Sequence, residues 1–158
     1  MFMKKAIVYY SYSNRTKRIV DMIKEKIDAD VFEIKPKEPY STDYDEVVDL
    51  GQEEVNRNYL REIEDININL NNYDTVILAT PVWWYTFAPV VHTFLEKYDL
   101  KDKKVMPIIT NGGWLGHTVE DIKKYAPNVI NELILKFDGD KLVTDSSAID
   151  KFIEEIDN

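Results

Sequence analysis

The chain has 158 residues, a formal net charge of −9 and no cysteine. The missing thiols exclude disulfides, thiolate metal sites and cysteine nucleophiles, and only two histidines argue against a zinc site. The negative charge argues against nucleic acid or an anionic membrane as a partner, and no apolar run is long enough to cross a bilayer. We therefore expect one cytoplasmic domain over residues 1–158, a monomer or weak dimer, whose acidic surface suits transient docking to basic partner proteins.

The first predicted elements are a buried strand and an amphipathic helix, joined by a hydroxyl-rich turn. Residues 6–10 form an unbroken apolar run, which is typical of a strand buried on both faces. Ile19, Val20 and Ile23 then recur on one helical face. The turn at residues 11–16 lies between them, where the first amide N–H groups of a helix have no internal partners and favour an anion.

The residues of this turn narrow the kind of anion site. No glycine precedes Gly51, so neither the G-x-G-x-x-G dinucleotide fingerprint nor the G-x-x-x-x-G-K-[ST] triphosphate loop is present. Ser11, Ser13 and Thr16 offer three hydroxyls, and the backbone of residues 14–17 offers N–H groups, to a terminal phosphate monoester. Serine and threonine are equally typical of helix N-caps, so the turn alone does not decide between a cap and a phosphate site.

The middle of the chain alternates predicted strands and helices. Residues 30–34 read as an edge strand with one exposed face, residues 44–61 as a surface helix, and residues 65–72 as an extended connector. Residues 73–80 give the clearest central strand, and it ends in an aromatic loop at residues 81–85.

The pattern continues to the end of the chain. It predicts a helix that starts at Pro89, a strand at 104–110, a glycine-rich loop at 111–116, a helix at about 118–125, an irregular strand at 129–137 and a last helix capped by Asp145 or Ser146. Pro107 is awkward inside the fourth strand because proline has no ladder donor.

Strands that alternate with helices indicate an α/β fold with a parallel sheet and helices on both faces. Five strands fit the order 2-1-3-4-5, in which ligands bind beyond the carboxyl ends of the strands, at the switch point between strands one and three. The loops at residues 11–16, 81–85 and 111–116 follow strands one, three and four. They should therefore meet at a single crevice.

The second and third loops suit a planar ring. At least one of Trp83, Trp84 and Tyr85 must point outward as a platform for stacking, whereas Trp84 or Tyr85 could instead pack under the loop as core, and we expect at least one residue of each kind. Gly112 and Gly113 allow the backbone to approach a ligand closely and to donate N–H groups to it, although an ordinary turn would also use glycine. A phosphate pocket beside an aromatic slot matches flavin mononucleotide (FMN).

Four motifs carry a resemblance over nearly the whole chain. They are Y-S-x-S-x-x-T-K at residues 10–17, P-x-W-W at 81–84, T-F-L-E-x-Y-D at 93–99 and D-I-K-K at 121–124. In this order they resemble the short-chain flavodoxins, which implies a three-layer sandwich, non-covalent FMN and one-electron transfer between redox partner proteins. The resemblance implies these cofactor-binding residues and no catalytic or metal-binding ones: Ser11, Tyr12, Ser13, Asn14, Arg15, Thr16, Pro81, Val82, Trp83, Trp84, Tyr85, Thr110, Asn111, Gly112, Gly113 and Trp114.

Two positions depart from the family pattern. Flavodoxins usually have glycine where Asn14 stands, and asparagine tolerates the left-handed conformation better than most residues. Similar sequences carry a small residue at position 114. The bulky Trp114 of this chain would either shield the flavin or fill part of the space that the flavin needs.

Two other functions use the same fold. The first is an FMN-dependent NAD(P)H:quinone-type reductase, in which His117 would donate a proton; otherwise His117 simply begins a helix, and His92 is structural. The second is a flavodoxin-like binding module without cofactor. A receiver domain is excluded because residues 9–11 lack the acidic cluster that such domains place after strand one.

Overall fold

The computed structural model describes residues 4–156, so the outer limits of the predicted domain, residues 1 and 158, lie outside it. The elements in chain order are β1 (Lys4–Tyr9), α1 (Arg15–Lys24), β2 (Asp30–Glu33), α2 (Tyr44–Asn56), a 3-10 helix (Leu70–Asn72), β3 (Tyr73–Trp83), β4 (Thr86–Phe87), α3 (Pro89–Lys97), β5 (Lys104–Asn111), α4 (Thr118–Tyr125), β6 (Leu133–Asp138), β7 (Lys141–Leu142) and α5 (Ser147–Ile156).

The sheet has the predicted order of parallel strands. β2, β1, β3, β5 and β6 lie side by side and pair in parallel, which is the order 2-1-3-4-5 once the short antiparallel strands are set aside. The five predicted parallel strands are present, and two short antiparallel strands that were not predicted extend the sheet. β4 pairs with the end of β3 and β7 with the end of β6, so the sheet has seven strands. Each extra strand has two residues, too few to leave a periodic pattern in the sequence.

Helices cover both faces of the sheet and give the three-layer arrangement. One apolar core joins the sheet to α2, α3 and α4, and the other joins it to α1 and α5. Successive residues of β1 alternate between the cores: Val8 lies in the first, and Ile7 and Tyr9 lie in the second. This burial on both faces is the reason that the strand is apolar throughout.

Several boundaries differ from the prediction. β3 continues through Pro81 to Trp83 instead of stopping at Thr80, because its last two residues pair with β4. α2 ends at Asn56 rather than Arg61, and its C-cap, Arg57, is followed by Asn58 at a φ of 52°.

Pro107 lies inside central β5, opposite Leu78 of β3. Val105 exchanges hydrogen bonds with residues 128 and 130 on the β6 side, and Pro107 faces the same side because backbone groups alternate along a strand. The β5–β6 ladder begins only at Ile108, so the missing N–H falls in a gap of the ladder. The strand therefore tolerates proline without losing a pair.

Candidate functional site

The three unusual loops meet at one cleft of about 570 Å³, at the carboxyl ends of β1, β3 and β5. The structure thus places the serine-rich turn and the tandem tryptophans on the same side of the molecule. Most of the predicted site residues line this cleft, namely Tyr12, Ser13, Arg15, Pro81, Val82, Trp83, Trp84, Tyr85, Thr110, Asn111, Gly112 and Trp114.

Ser11, Asn14, Thr16 and Gly113 are predicted site residues that do not line the cleft. The Ser11 hydroxyl accepts a hydrogen bond from the Lys17 N–H at 3.1 Å, so it caps the start of α1. Thr16 is buried, and its Oγ1 lies 2.7 Å from that of Thr110. The Ser11 and Thr16 hydroxyls thus each have a partner within the protein, and Ser13 is the serine of this turn that lines the cleft.

The turn between β1 and α1 presents unpaired backbone donors. None of the amide N–H groups of residues 12–16 has an acceptor within the described part of the chain. Asn14 precedes the helix with a φ of 66° and a ψ of 0°, the left-handed conformation expected for the residue that replaces glycine. The turn thus keeps its shape without glycine and leaves several N–H groups free for an anion.

The three consecutive aromatic residues of the second loop have different environments. Trp83 is half-buried, and its ring contacts those of Tyr10, Tyr12 and Tyr40 edge-on at centroid distances of 5.9, 6.0 and 5.0 Å. Trp84 is 37% exposed, and its indole N–H donates to the Val48 carbonyl at 3.1 Å. As predicted, part of this aromatic loop is exposed and part packs against the core. The residue that packs against the core is Trp83, whereas Trp84 and Tyr85 are exposed.

Trp84 and Tyr85 form the turn between β3 and β4 with φ angles of 50° and 70°. Two-residue hairpins use such angles but normally fill them with asparagine or glycine, since a bulky residue there costs about 1–3 kcal/mol. Contacts from the start of α4 hold this turn. The His117 N–H donates to the Tyr85 carbonyl at 2.8 Å, and Gly116 lies so close that a Cβ would sit 2.2 Å from that oxygen.

The third loop contributes backbone to the cleft. Asn111 folds back on it, since its side-chain oxygen accepts the Gly113 N–H at 2.8 Å. The Gly113 N–H is therefore not available to a ligand, contrary to the expectation for both glycines. Gly112 does line the cleft. Trp114 lies at the rim and is 73% exposed, so it does not fill the cleft.

Arg15 brings a positive charge to the serine-rich end. It is the charged residue among the described residues that line the cleft. Its Nε lies 3.4 Å from the Asp140 carboxylate, in a contact that is mostly solvent-exposed and therefore weak. A ligand anion can compete with such a contact, so this end of the cleft suits a phosphate group.

The chain matches the family model for flavodoxins over residues 4–156. The chain belongs to the flavodoxin family. No curated protein matches it. Within residues 4–156, no helix is long and apolar enough to cross a membrane, and no group of three or more His, Asp or Glu side chains could hold a metal ion.

Solved structures of similar proteins support the flavodoxin assignment. A Lactobacillus acidophilus flavoprotein in complex with FMN is 27% identical, with a TM-score of 0.76 over 96% of this chain and 99% of that one. A Bacteroides eggerthii protein with a provisional flavoprotein designation is 26% identical, with a TM-score of 0.81 over 99% of both chains. An apo-form flavoprotein from L. acidophilus, determined by NMR, is 26% identical, with a TM-score of 0.67 over 96% of this chain and 98% of that one.

Sequence reasoning missed four residues that line the flavodoxin cleft. Tyr44, Val47 and Val48 come from α2, and Phe137 comes from β6. The two valines are apolar positions of the helix predicted over residues 44–61, but periodicity does not tell which apolar residues of a helix line a cleft. Phe137 lies under the Arg18 guanidinium, 5.1 Å from its ring centroid, and only the strand order brings it near the first turn.

An ionised carboxylate, Asp121, anchors α4 beside the Trp84–Tyr85 turn. It accepts hydrogen bonds from Thr86 Oγ1 at 2.6 Å and Lys124 Nζ at 3.1 Å, and it pairs with His117 Nδ1. Burial alone would raise the pKa of Asp121, but the hydrogen bonds from Thr86, Lys124 and His117 together lower it below 3.8. The carboxylate thus ties the helix to β4.

Asp121→Asn is expected to lower the free energy of unfolding by about 1 kcal/mol or more at neutral pH, because bonds to a charged acceptor are lost. A carboxyl whose pKa is lowered on folding stabilises the protein above its unfolded pKa, and this contribution is lost as the pH falls through the folded value. The gap between wild type and variant should therefore shrink below about pH 4, as measured by urea unfolding at several pH values. Glu120→Gln, an exposed change on the same helix, is the control. A gap that stays constant down to pH 2 would contradict the assignment.

Proposed function

We propose that this flavodoxin binds FMN non-covalently in the cleft and carries single electrons between redox partner proteins. The observation that supports this most is the pairing of two features across one cleft: the unpaired amides of residues 12–16 and the aromatic wall of Trp83 to Tyr85. The first suits a dianionic phosphate and the second a planar ring. The volume of about 570 Å³ lies in the usual range for a small-molecule site.

Each part of FMN has a matching region of the cleft. The amides of residues 12–16, the Ser13 hydroxyl and Arg15 would hold the phosphate against the net negative charge of the protein. Trp84 and Tyr85 would flank the ring, and the backbone near Gly112 would meet its polar edge. Bound FMN supplies the redox chemistry, while the protein binds and orients it.

Gly112 provides an independent test of fit. Its φ is not in the left-handed region, and a Cβ built there meets no atom within 4 Å. Neither the backbone conformation nor packing within the described protein requires glycine at this position. A ligand that lies against the backbone would require it, and Gly112 lines the cleft.

The proposed partners are basic redox proteins that dock over the cleft. Trp84, Tyr85 and Trp114 are 37%, 52% and 73% exposed around its mouth. Such a rim offers apolar contact area, and the net charge of −9 would attract a basic partner. Association should therefore slow as salt is added.

The test of the cofactor compares FMN with riboflavin, which has the same ring and no phosphate. The protein, freed of any flavin, is titrated with each compound while flavin fluorescence is followed. We expect tight FMN binding and riboflavin binding that is weaker by about 100-fold, because the phosphate contacts are lost. Equal affinities would overturn the phosphate assignment, and no binding of either compound would favour the cofactor-free module.

A second measurement separates the carrier from the reductase. The FMN-loaded protein is mixed with NADH or NADPH and a soluble quinone, and nicotinamide oxidation is followed. A carrier should show no turnover with small molecules but should pass electrons from a reductase to a basic cytochrome. Nicotinamide oxidation with the quinone as the sole acceptor would show that the protein is a reductase and not an electron carrier.

Ser13→Ala is expected to weaken FMN binding by about 1–3 kcal/mol, since Ser13 is the serine of the turn that lines the cleft and a hydrogen bond to a charged group is lost. Fluorescence titration gives the dissociation constant. Ser146→Ala, an exposed serine before α5, is the control. Identical dissociation constants for the two variants would count against the phosphate site.

Gly112→Ala is expected to leave the free energy of unfolding within about 0.5 kcal/mol of wild type, because the new methyl group meets no protein atom. FMN affinity should fall by about tenfold or more, because the methyl group occupies space next to the ligand. Denaturant unfolding without flavin and FMN titration measure the two effects. An unchanged FMN affinity would mean that the ring does not approach this backbone.

A further inference from the structure

A second cavity, of about 480 Å³, lies on the other side of the Trp84–Tyr85 turn from the FMN cleft. Both turn residues line both spaces. The second cavity also contains the two histidines of the chain, His92 and His117, with Lys124 nearby. The proposed electron carrier uses none of these groups.

The hydrogen bond between His117 and Asp121 determines whether the other ring nitrogen of His117, Nε2, can accept or donate a hydrogen bond. Asp121 is ionised and can only accept, so the Nδ1 of His117 carries the proton in their pair. The Nε2 has no hydrogen-bond partner within residues 4–156, and the side chain is 61% exposed. It can accept from a hydroxyl when the ring is neutral and donate to an oxygen when the ring is protonated.

Lys124 adds donors beside this histidine. One of its three N–H groups goes to Asp121, at 3.1 Å, and the side chain is 72% exposed. His92 differs from His117, because its Nε2 lies 3.0 Å from the Tyr125 hydroxyl, which in turn donates to Glu96. His117 and Lys124 thus have unused hydrogen-bonding capacity, and His92 is held by its neighbours.

The remaining wall mixes apolar groups and rings with the polar side chains of Asn56, Asn58 and Thr86. Phe87, Pro89 and Val55 line it together with the rings of Tyr59 and Tyr85. Glu54 also borders the cavity, but Tyr40 and Arg61 already engage its carboxylate. The space therefore combines the exposed rings of Tyr59 and Tyr85 with a cation and a histidine at one side, where Asp121 pairs with both of them.

We propose that this cavity binds a small planar aromatic compound that carries a carboxylate or phenol oxygen. The oxygen would meet His117 Nε2 and Lys124 Nζ, and the ring would lie against the exposed rings of Tyr59 and Tyr85. The site is separate from the FMN cleft, and binding there does not depend on the proposed cofactor. Its position one turn away from the cleft puts such a compound next to the flavin when both are bound.

The test uses 4-hydroxybenzoate as the probe, with and without saturating FMN. The chain has two histidines, so proton NMR should show two ring Cε1–H signals, assigned with His92→Gln and His117→Gln. We expect a saturable shift of the His117 signal in both states and a measurable dissociation constant by calorimetry. Cyclohexanecarboxylate, which has the acid group but no planar ring, should bind at least about fivefold more weakly.

Lys124→Ala and Lys123→Ala form a matched pair, because both remove one lysine from α4 and only Lys124 borders the cavity. Lys124→Ala should raise the dissociation constant of the probe by about fivefold or more, and Lys123→Ala by less than about twofold. Equal effects, no His117 shift, or loss of binding when FMN is added would overturn the proposal. Failure of FMN to bind would overturn the proposed function alone, since the probe is also measured without flavin.

Discussion

Gly116→Ala is expected to lower the free energy of unfolding by about 3 kcal/mol or more, with partial loss of folded protein. A Cβ on this residue would lie 2.2 Å from the Tyr85 oxygen and 2.5 Å from its Cα, and these backbone atoms cannot rotate away. The φ of 61° adds the cost of a left-handed alanine. Urea unfolding measures the change.

Gly139→Ala separates the two causes. Gly139 has a φ of 58°, but a Cβ there meets nothing within 4 Å. It should cost only about 1 kcal/mol, the price of the backbone conformation. If Gly116→Ala and Gly139→Ala lowered the free energy of unfolding by the same amount, the close approach of Gly116 to the Trp84–Tyr85 turn would not be important for stability.

Gly116→Ala should also weaken the binding of FMN. The overlap should force the Trp84–Tyr85 turn away from α4, and this turn forms a wall of the cleft proposed to bind FMN. We therefore expect the folded fraction of Gly116→Ala to bind FMN at least about tenfold more weakly, whereas Gly139→Ala should bind as wild type does.

Glu54→Ala is expected to lower the free energy of unfolding by about 3–5 kcal/mol, because it leaves a buried guanidinium without its partner. The Glu54 side chain is 2% exposed and that of Arg61 11% exposed, and they meet at 2.6 Å. Tyr40 donates to the other carboxylate oxygen at 2.7 Å and lies 3.7 Å below the guanidinium. Denaturant titration gives the loss.

Glu53→Ala, one position earlier on α2, is the matched control. Glu53 pairs with Arg57 at 3.6 Å, and both side chains are more than half exposed. Its loss should change stability by no more than about 0.5 kcal/mol, since exposed pairs contribute little. Similar effects of the two alanine variants would mean that burial does not govern the Glu54–Arg61 pair.

Glu54→Ala should also change the packing of a residue that lines the cleft. Tyr40 contacts Trp83 at a centroid distance of 5.0 Å, and Trp83 lines the cleft. Loss of the buried pair frees Tyr40 and loosens the packing of Trp83. Tryptophan fluorescence of the folded variant should therefore shift to longer wavelength, whereas Glu53→Ala should leave the spectrum unchanged.

Some of the site could be predicted because parallel strands place their carboxyl ends at one edge. Residues 11–16, 81–85 and 111–116 each follow such a strand, so their convergence required only the strand order. The left-handed Asn14 was also predictable, because asparagine is one of the few residues that accept this conformation.

Other features could not be predicted because they depend on partners far away in the chain. The hydroxyl of Thr16 forms a hydrogen bond with that of Thr110, which is 94 residues later in the chain. Thr16 is therefore buried and does not line the cleft. Trp83 rather than Trp84 packs against the core: it is the last residue of β3, where the strand pairs with β4, and its ring contacts Tyr10 and Tyr40. Two-residue strands such as β4 have no sequence period of their own.

Apolar periodicity and chain order are enough to predict the alternation of strands and helices, the sheet buried on both faces and the edge at which the loops meet. The folded arrangement was needed to show which hydroxyls and amides remain without partners, which aromatic rings are exposed, and that α2 and Phe137 complete the cleft. These depend on side-chain contacts between distant segments, and local pattern carries no information about them.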